Sequence, residues 1–159
     1  MQSMRRWLQR AAEALAAGIF MLLFLTFVVQ VGARFLFDRP LAWSDELIVI
    51  LYIAMVFWSA ATLLKEREHV MFDLVYAMLP PQGQRVVSLL GAAMMAGLMG
   101  VLLPYAFDYV RFMHREPTAV LGLPFSIVFA PFLLFVLALV LMYLRKGWKL
   151  LRPGWQEQL

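Results

Sequence analysis

Cysteine is missing from this 159-residue chain, and charge is scarce: 15% of residues are Asp, Glu, Lys or Arg, against ~25% in ordinary soluble domains. Without thiols there is no disulfide, no thiolate-bound metal, no iron–sulfur cluster and no dithiol redox chemistry. Histidine is almost absent too. His69 and His114 are the whole set, and the topology derived below puts them on opposite sides of a membrane, where they cannot ligate one haem. A glycine-rich phosphate loop, a nucleophile–base pair and a detectable inverted repeat are also lacking. No catalytic, cofactor-binding or metal-ligating residue is therefore expected, and the chain reads as something other than an enzyme.

What abounds is apolar sequence, with 64% hydrophobic residues and a mean hydropathy of +0.78. Four runs, 14–33, 47–64, 86–107 and 117–144, carry no charged residue. Because about 20 apolar residues in a helix cross a hydrocarbon core of ~30 Å, each run reads as a membrane span. Inside hydrocarbon every backbone N–H and C=O must be satisfied within its own segment, which selects helices over strands. The expected fold is an all-α integral membrane protein, a single domain over 1–159 with transmembrane helices at 14–36, 44–66, 86–108 and 124–148.

Lys and Arg set the orientation, since positively charged flanks are retained on the cytoplasmic side. Ten of the fourteen lie in the N-terminal tail, the middle connection and the C-terminal tail; Arg34, Arg39, Arg111 and Arg115 occupy the two alternate connections. Both termini are expected to be cytoplasmic. The net charge of +4 suits anionic lipid head groups at the ends of spans better than nucleic acid. The N-terminal run is too long for a secretory signal and no small-residue cleavage site follows it, so it reads as a retained span.

Two short interfacial segments are expected, at 3–13 and 70–79. In the first, Met4, Trp7, Leu8, Ala11 and Leu15 recur at helical spacing opposite Arg5, Arg6, Gln9 and Arg10, which suits a helix lying in the interface; a plain extension of the first span is the alternative. The second is too short to cross, and Pro80 and Pro81 stop it. The third span carries Gly91, Ala92, Ala93, Ala96, Gly97 and Gly100. Gly91, Ala93, Gly97 and Gly100 are candidate helix-packing positions where backbones approach closely, which would make this span central. Pro104 and Pro131 should bend the third and fourth spans, and Trp148 anchors the last at the interface.

No ionisable group sits at membrane depth, although substrate binding or proton transfer in a membrane usually requires one. Thr26, Gln30, Ser59, Thr62 and Ser88 are the most polar side chains there, suited to bonds between helices or to their own backbone. Charge gathers at the span edges. Arg34 ends the first span, Asp38, Arg39 and Pro40 form a turn, and Trp43, Ser44, Asp45 and Glu46 open the second. Ser44 is expected as an N-cap, and carboxylates in a first turn favour the helix dipole. Arg34 is expected to pair with Asp45 or Glu46, and partner docking at this edge is compatible with that. On the other side Lys65, Glu66, Arg67, Glu68 and His69 form a mixed-charge helix end, followed by Asp73.

Arg34, the stretch Leu41-Ala42-Trp43-Ser44-Asp45-Glu46-Leu47, the stretch Lys65-Glu66-Arg67-Glu68-His69-Val70, Asp73, Leu79-Pro80 and Thr118-Ala119-Val120-Leu121-Gly122-Leu123-Pro124 occur in an order that resembles the small membrane subunit (DctQ-like) of tripartite ATP-independent periplasmic (TRAP) transporters. Many members carry two glutamates where Asp45 and Glu46 stand here, so the charge pattern is kept. The resemblance implies a bacterial inner-membrane scaffold without catalysis, working with a large membrane subunit that carries sodium and substrate and with a periplasmic substrate-binding protein. It implies import of an organic acid, and it makes Arg34, Arg39, Trp43, Asp45, Glu46, Arg67, His69 and Asp73 candidate inter-helix or partner contacts. No cofactor is expected in this chain. A self-contained homo-oligomeric transporter or channel is the alternative, and a quinone- or haem-handling enzyme fits the composition least.

Overall fold

A computed structural model describes residues 2–62, 76 and 78–152. They form four long helices, α1 (Gln2–Leu36), α2 (Ala42–Thr62), α3 (Pro81–Phe112) and α4 (Phe125–Leu151), with a 3-10 turn at Met113–Arg115. Each has the length and composition to cross a membrane. Among the described residues there is no strand, only an isolated bridge between Pro117 and Pro124. The backbone groups into two compact units, 1–63 with 106–135 and 64–105 with 136–159.

In the first unit, α1 and α2 form an antiparallel hairpin. Along α1, Ala16, Thr26 and Gln30 are buried and Ile19, Leu23 and Ala33 half-buried, while Phe20, Phe24, Phe27 and Val28 stay exposed. The covered positions recur every three or four residues, the narrow seam of two helices packed side by side. The indole N–H of Trp58 donates to the Ala12 carbonyl at 3.2 Å, holding α2 to α1 far from their connection. Phe57 packs edge-on against Phe132, with centroids 5.3 Å apart, and against Phe135 at 5.6 Å. Aromatic pairs in such geometry contribute about 0.5–1.5 kcal/mol beyond their burial.

α1 runs unbroken for 35 residues, so the 3–13 segment continues the first span and is not a separate element. At 1.5 Å per residue such a helix is about 52 Å long, well beyond the ~30 Å core. Most of 70–79 lies outside the described residues. Pro81, expected to stop that segment, is also the residue that opens α3: its fixed φ and missing N–H suit a first helical position. Pro104 and Pro131 lie inside α3 and α4.

In the second unit, α4 buries Val136, Leu139, Tyr143 and Leu150, again at three- and four-residue spacing. The third span was expected to be the central one. The apolar stretch of α4 is the more buried, 22% against 6% for α3, and a carbon added at Gly91, Gly97 or Gly100 would meet no atom within 4 Å. Ala92 is the small residue that is buried, while Ala93 is exposed. Glycine content marks where backbones can approach; among the described residues no side chain or neighbouring backbone fills these three positions.

Arg85 Nε donates to the Leu150 carbonyl at 3.0 Å, satisfying one of the carbonyls left without a partner at the end of α4. Leu150 is fully buried. Arg85→Ala should lower stability by about 1–2 kcal/mol, the range for a lost bond to a charged donor at a partly exposed site, and Arg85→Lys should recover part of it; thermal unfolding in nanodiscs measures both. Gln84 Nε2 donates to the Tyr76 and Leu79 carbonyls at 3.2 and 3.1 Å, and the Tyr76 hydroxyl meets Ser88 Oγ at 2.7 Å. Arg152 lies 5.4 Å over the exposed Trp148 ring, a pairing suited to a membrane–water boundary.

Candidate functional site

In the first unit, polar side chains with several partners each collect where the α1–α2 and α3–α4 connections meet. α1 ends in a left-handed residue, Asp38 at φ 51, and both Phe37 N–H and Arg39 N–H donate to the Ala33 carbonyl at 3.2 Å. The Ala33 carbonyl thus accepts both the last helical bond and one from beyond the helix end, with aspartate in the left-handed place that glycine usually takes. It aims the chain back so that α2 starts beside the last turns of α1.

Gln30 joins the two. Its Nε2 donates to Asp45 Oδ1 at 2.8 Å, and its Oε1 accepts the Leu41 N–H at 3.3 Å and lies against the Ser44 hydroxyl. The Ser44 hydroxyl also reaches the Leu41 carbonyl at 2.8 Å, one proton between two acceptors. Gln30 and Ser44 are buried, so these bonds replace water that the groups have lost. Ser44 is therefore no N-cap. α2 begins at Ala42, Leu41 occupies the cap position, and its N–H is served by Gln30 from the neighbouring helix.

Glu46 reaches a different element. Its Oε2 accepts the Val120 N–H at 2.7 Å and its Oε1 the Leu121 N–H at 3.2 Å, and the Thr118 hydroxyl also bonds to the carboxylate. Successive backbone N–H groups turned toward one anion form a nest. The nest exists because 116–125 is a small hairpin. Phe125 N–H donates to the Glu116 carbonyl at 3.0 Å and Thr118 N–H to the Leu123 carbonyl at 2.8 Å. Thr118 Oγ1 accepts the Leu123 N–H at 2.9 Å, and Gly122 at φ 65 supplies the left-handed residue that closes the turn.

The expected bridge from Arg34 to Asp45 or Glu46 does not form: Asp45 is engaged by Gln30, Glu46 by the 118–121 backbone, and Arg34 is exposed. Arg39 and Trp43 are exposed beside this cluster. Arg67, His69 and Asp73 lie outside the described residues. Thr118, Val120 and Leu121 belong to the stretch that the family resemblance marks, without an individual role, and Gln30 stands out in the sequence only as a polar group within a span. Its signal was available, since Gln30 is the single amide side chain in the four uncharged runs. Thr26 Oγ1 and Thr62 Oγ1 return to their own backbone, at the Leu22 and Trp58 carbonyls. Among the described residues no group of three His, Cys, Asp or Glu could hold a metal ion. The arrangement can tie three chain segments into one polar end and present their backbone to a partner; no nucleophile–base or acid–base pair is part of it.

Residues 23–152 match the family model described as tripartite ATP-independent periplasmic transporters, DctQ component. A 75-residue stretch is 25% identical to the sialic acid TRAP transporter permease protein SiaT of Haemophilus influenzae (strain 86-028NP), covering 47% of this chain and 12% of that protein. The matched region is thus a small share of a relative about four times as long.

Proposed function

The chain belongs to the DctQ component family of tripartite ATP-independent periplasmic transporters, and from that premise we propose that it is the small, non-catalytic scaffold subunit bracing a larger membrane subunit. The larger subunit carries the sodium-coupled import of an organic acid, and a periplasmic substrate-binding protein delivers the cargo. Both termini face the cytoplasm of a bacterial inner membrane in this reading, which puts the Gln30–Glu46–Thr118 end on the periplasmic side. There Arg39, Trp43 and the hairpin held by Glu46 are placed to meet the binding protein.

The observation that carries the reading is the distribution of charge. Four apolar helices keep their ionised side chains at the ends, and Thr26, Gln30, Trp58 and Thr62 within α1 and α2 are spent on helix–helix or local bonds. Coupling solute movement to an ion gradient needs groups at membrane depth that can bind and release. Such groups belong to the partner. The wide exposed apolar faces of α1 (Phe20, Phe24, Phe27) and α3 (Leu90, Met94, Leu98) need lipid or a second membrane protein as cover. Purification from native membranes in mild detergent should bring a much larger membrane protein in fixed stoichiometry; isolation of this chain alone, as a homo-oligomer, would refute the scaffold role.

A further inference from the structure

A groove of about 720 Å³ opens beside the end of α3, among Phe107, Asp108, Arg111, His114, Arg115 and Leu133. We propose that it binds an anionic phospholipid, the phosphate held between Arg111 and Arg115 and an acyl chain lying along Phe107 and Leu133. The proposal requires only that the chain sits in a bilayer and is independent of the scaffold role.

Position is the first support. The uncharged run 86–107 ends at Asp108, so the groove straddles the level where hydrocarbon gives way to water, and its two walls match the two halves of a lipid. Charge is the second. Among the described residues Arg111 and Arg115 have no ion-pair partner, and Asp108 is the single carboxylate of the lining, which leaves the groove net cationic. Guanidinium groups suit phosphate because their planar N–H donors match its oxygens.

The histidine is the third support. His114 Nδ1 lies 2.9 Å from Ser126 Oγ on the first turn of α4. With Ser126 donating to Nδ1, the ring proton is on Nε2 and adds a donor to the site. Phe107 and Phe112 are 57% and 62% exposed. An acidic protein surface would satisfy the arginines and leave these rings wet, whereas a lipid covers both.

The test is native mass spectrometry of the full chain, purified with its membrane partner and reconstituted in nanodiscs of equal phosphatidylglycerol and phosphatidylcholine. Phosphatidylglycerol should be retained preferentially, and R111A/R115A should lose that preference by about 25-fold, roughly fivefold for each arginine near the membrane surface. R111K/R115K should keep most of it. Equal retention of the two lipids by the unsubstituted chain, an unchanged preference in R111A/R115A, or displacement of the lipid by excess inorganic phosphate would each overturn the proposal. Should R111A/R115A fail to fold, the lipid preference and the phosphate competition of the unsubstituted chain decide.

Discussion

Replacing Gln30 by glutamate should cost about 3 kcal/mol of stability, the largest loss expected from any single change of one functional group in this chain. The amide donates to Asp45 through Nε2 and accepts from Leu41 N–H through Oε1, so it needs both of its ends. A carboxylate keeps the acceptor and loses the donor. It then either ionises beside Asp45, with two like charges a few ångströms apart, or regains a donor by holding a proton at neutral pH, which costs free energy because a carboxyl ordinarily ionises well below that pH. Gln30→Leu removes the conflict; it strands the Leu41 N–H and half of the Ser44 bonding and leaves the exposed Asp45 to water, so it should cost less, about 1–2 kcal/mol. Thermal unfolding of the two variants in nanodiscs at neutral pH orders them. Equal stability of Gln30→Glu and the unsubstituted chain would show that the Gln30–Asp45 bond does not hold the hairpin.

Glu46→Ala should release the 118–123 hairpin without unfolding the helices. Val120 and Leu121 N–H have the Glu46 carboxylate as their partner, and without it both face water or nothing. Their hydrogen exchange should accelerate by about tenfold or more, since protection of a surface turn rests on few bonds. Exchange in the apolar stretches of α1 and α2 should be unaffected. Glu46→Gln keeps one acceptor oxygen but turns an NH2 toward the second amide, so its exchange should fall between the two. If the hairpin docks a binding protein as proposed, uptake by the whole transporter falls with Glu46→Ala while assembly of the membrane subunits persists. Unchanged exchange at 120 and 121 would remove Glu46 from its anchoring role.

The spans were legible because an uncharged run of membrane length admits few structures other than a helix, and all four are present. Their partners were far less legible. In α1 the covered positions Ala16, Ile19 and Leu23 are as apolar as the exposed Phe20, Phe24 and Phe27, because lipid and protein are equally apolar neighbours; Thr26 and Gln30 alone mark the covered side. Charge attraction predicted Arg34 as the partner of Asp45; Gln30, one turn earlier on the same face, has the shorter reach and takes the carboxylate. Ser44 resembles a cap by residue type, yet the cap position is set by where α2 begins, and the left-handed turn at Asp38 determines that. Gly122 does carry its role openly, since a glycine before Leu123-Pro124 suits a left-handed turn. That this turn would cradle Glu46, a residue 74 positions from Val120, is a tertiary fact with no local trace.

Helices that keep their charged groups at their two ends and expose apolar faces along their length need lipid or another membrane protein as cover. The proposed division of labour is tested most directly in liposomes under an inward sodium gradient. The purified chain alone should accumulate no organic acid, while the same chain reconstituted with its large membrane subunit and supplied with the loaded binding protein should do so, and the large subunit without this chain should not. Sodium-driven accumulation by this chain alone would contradict the account.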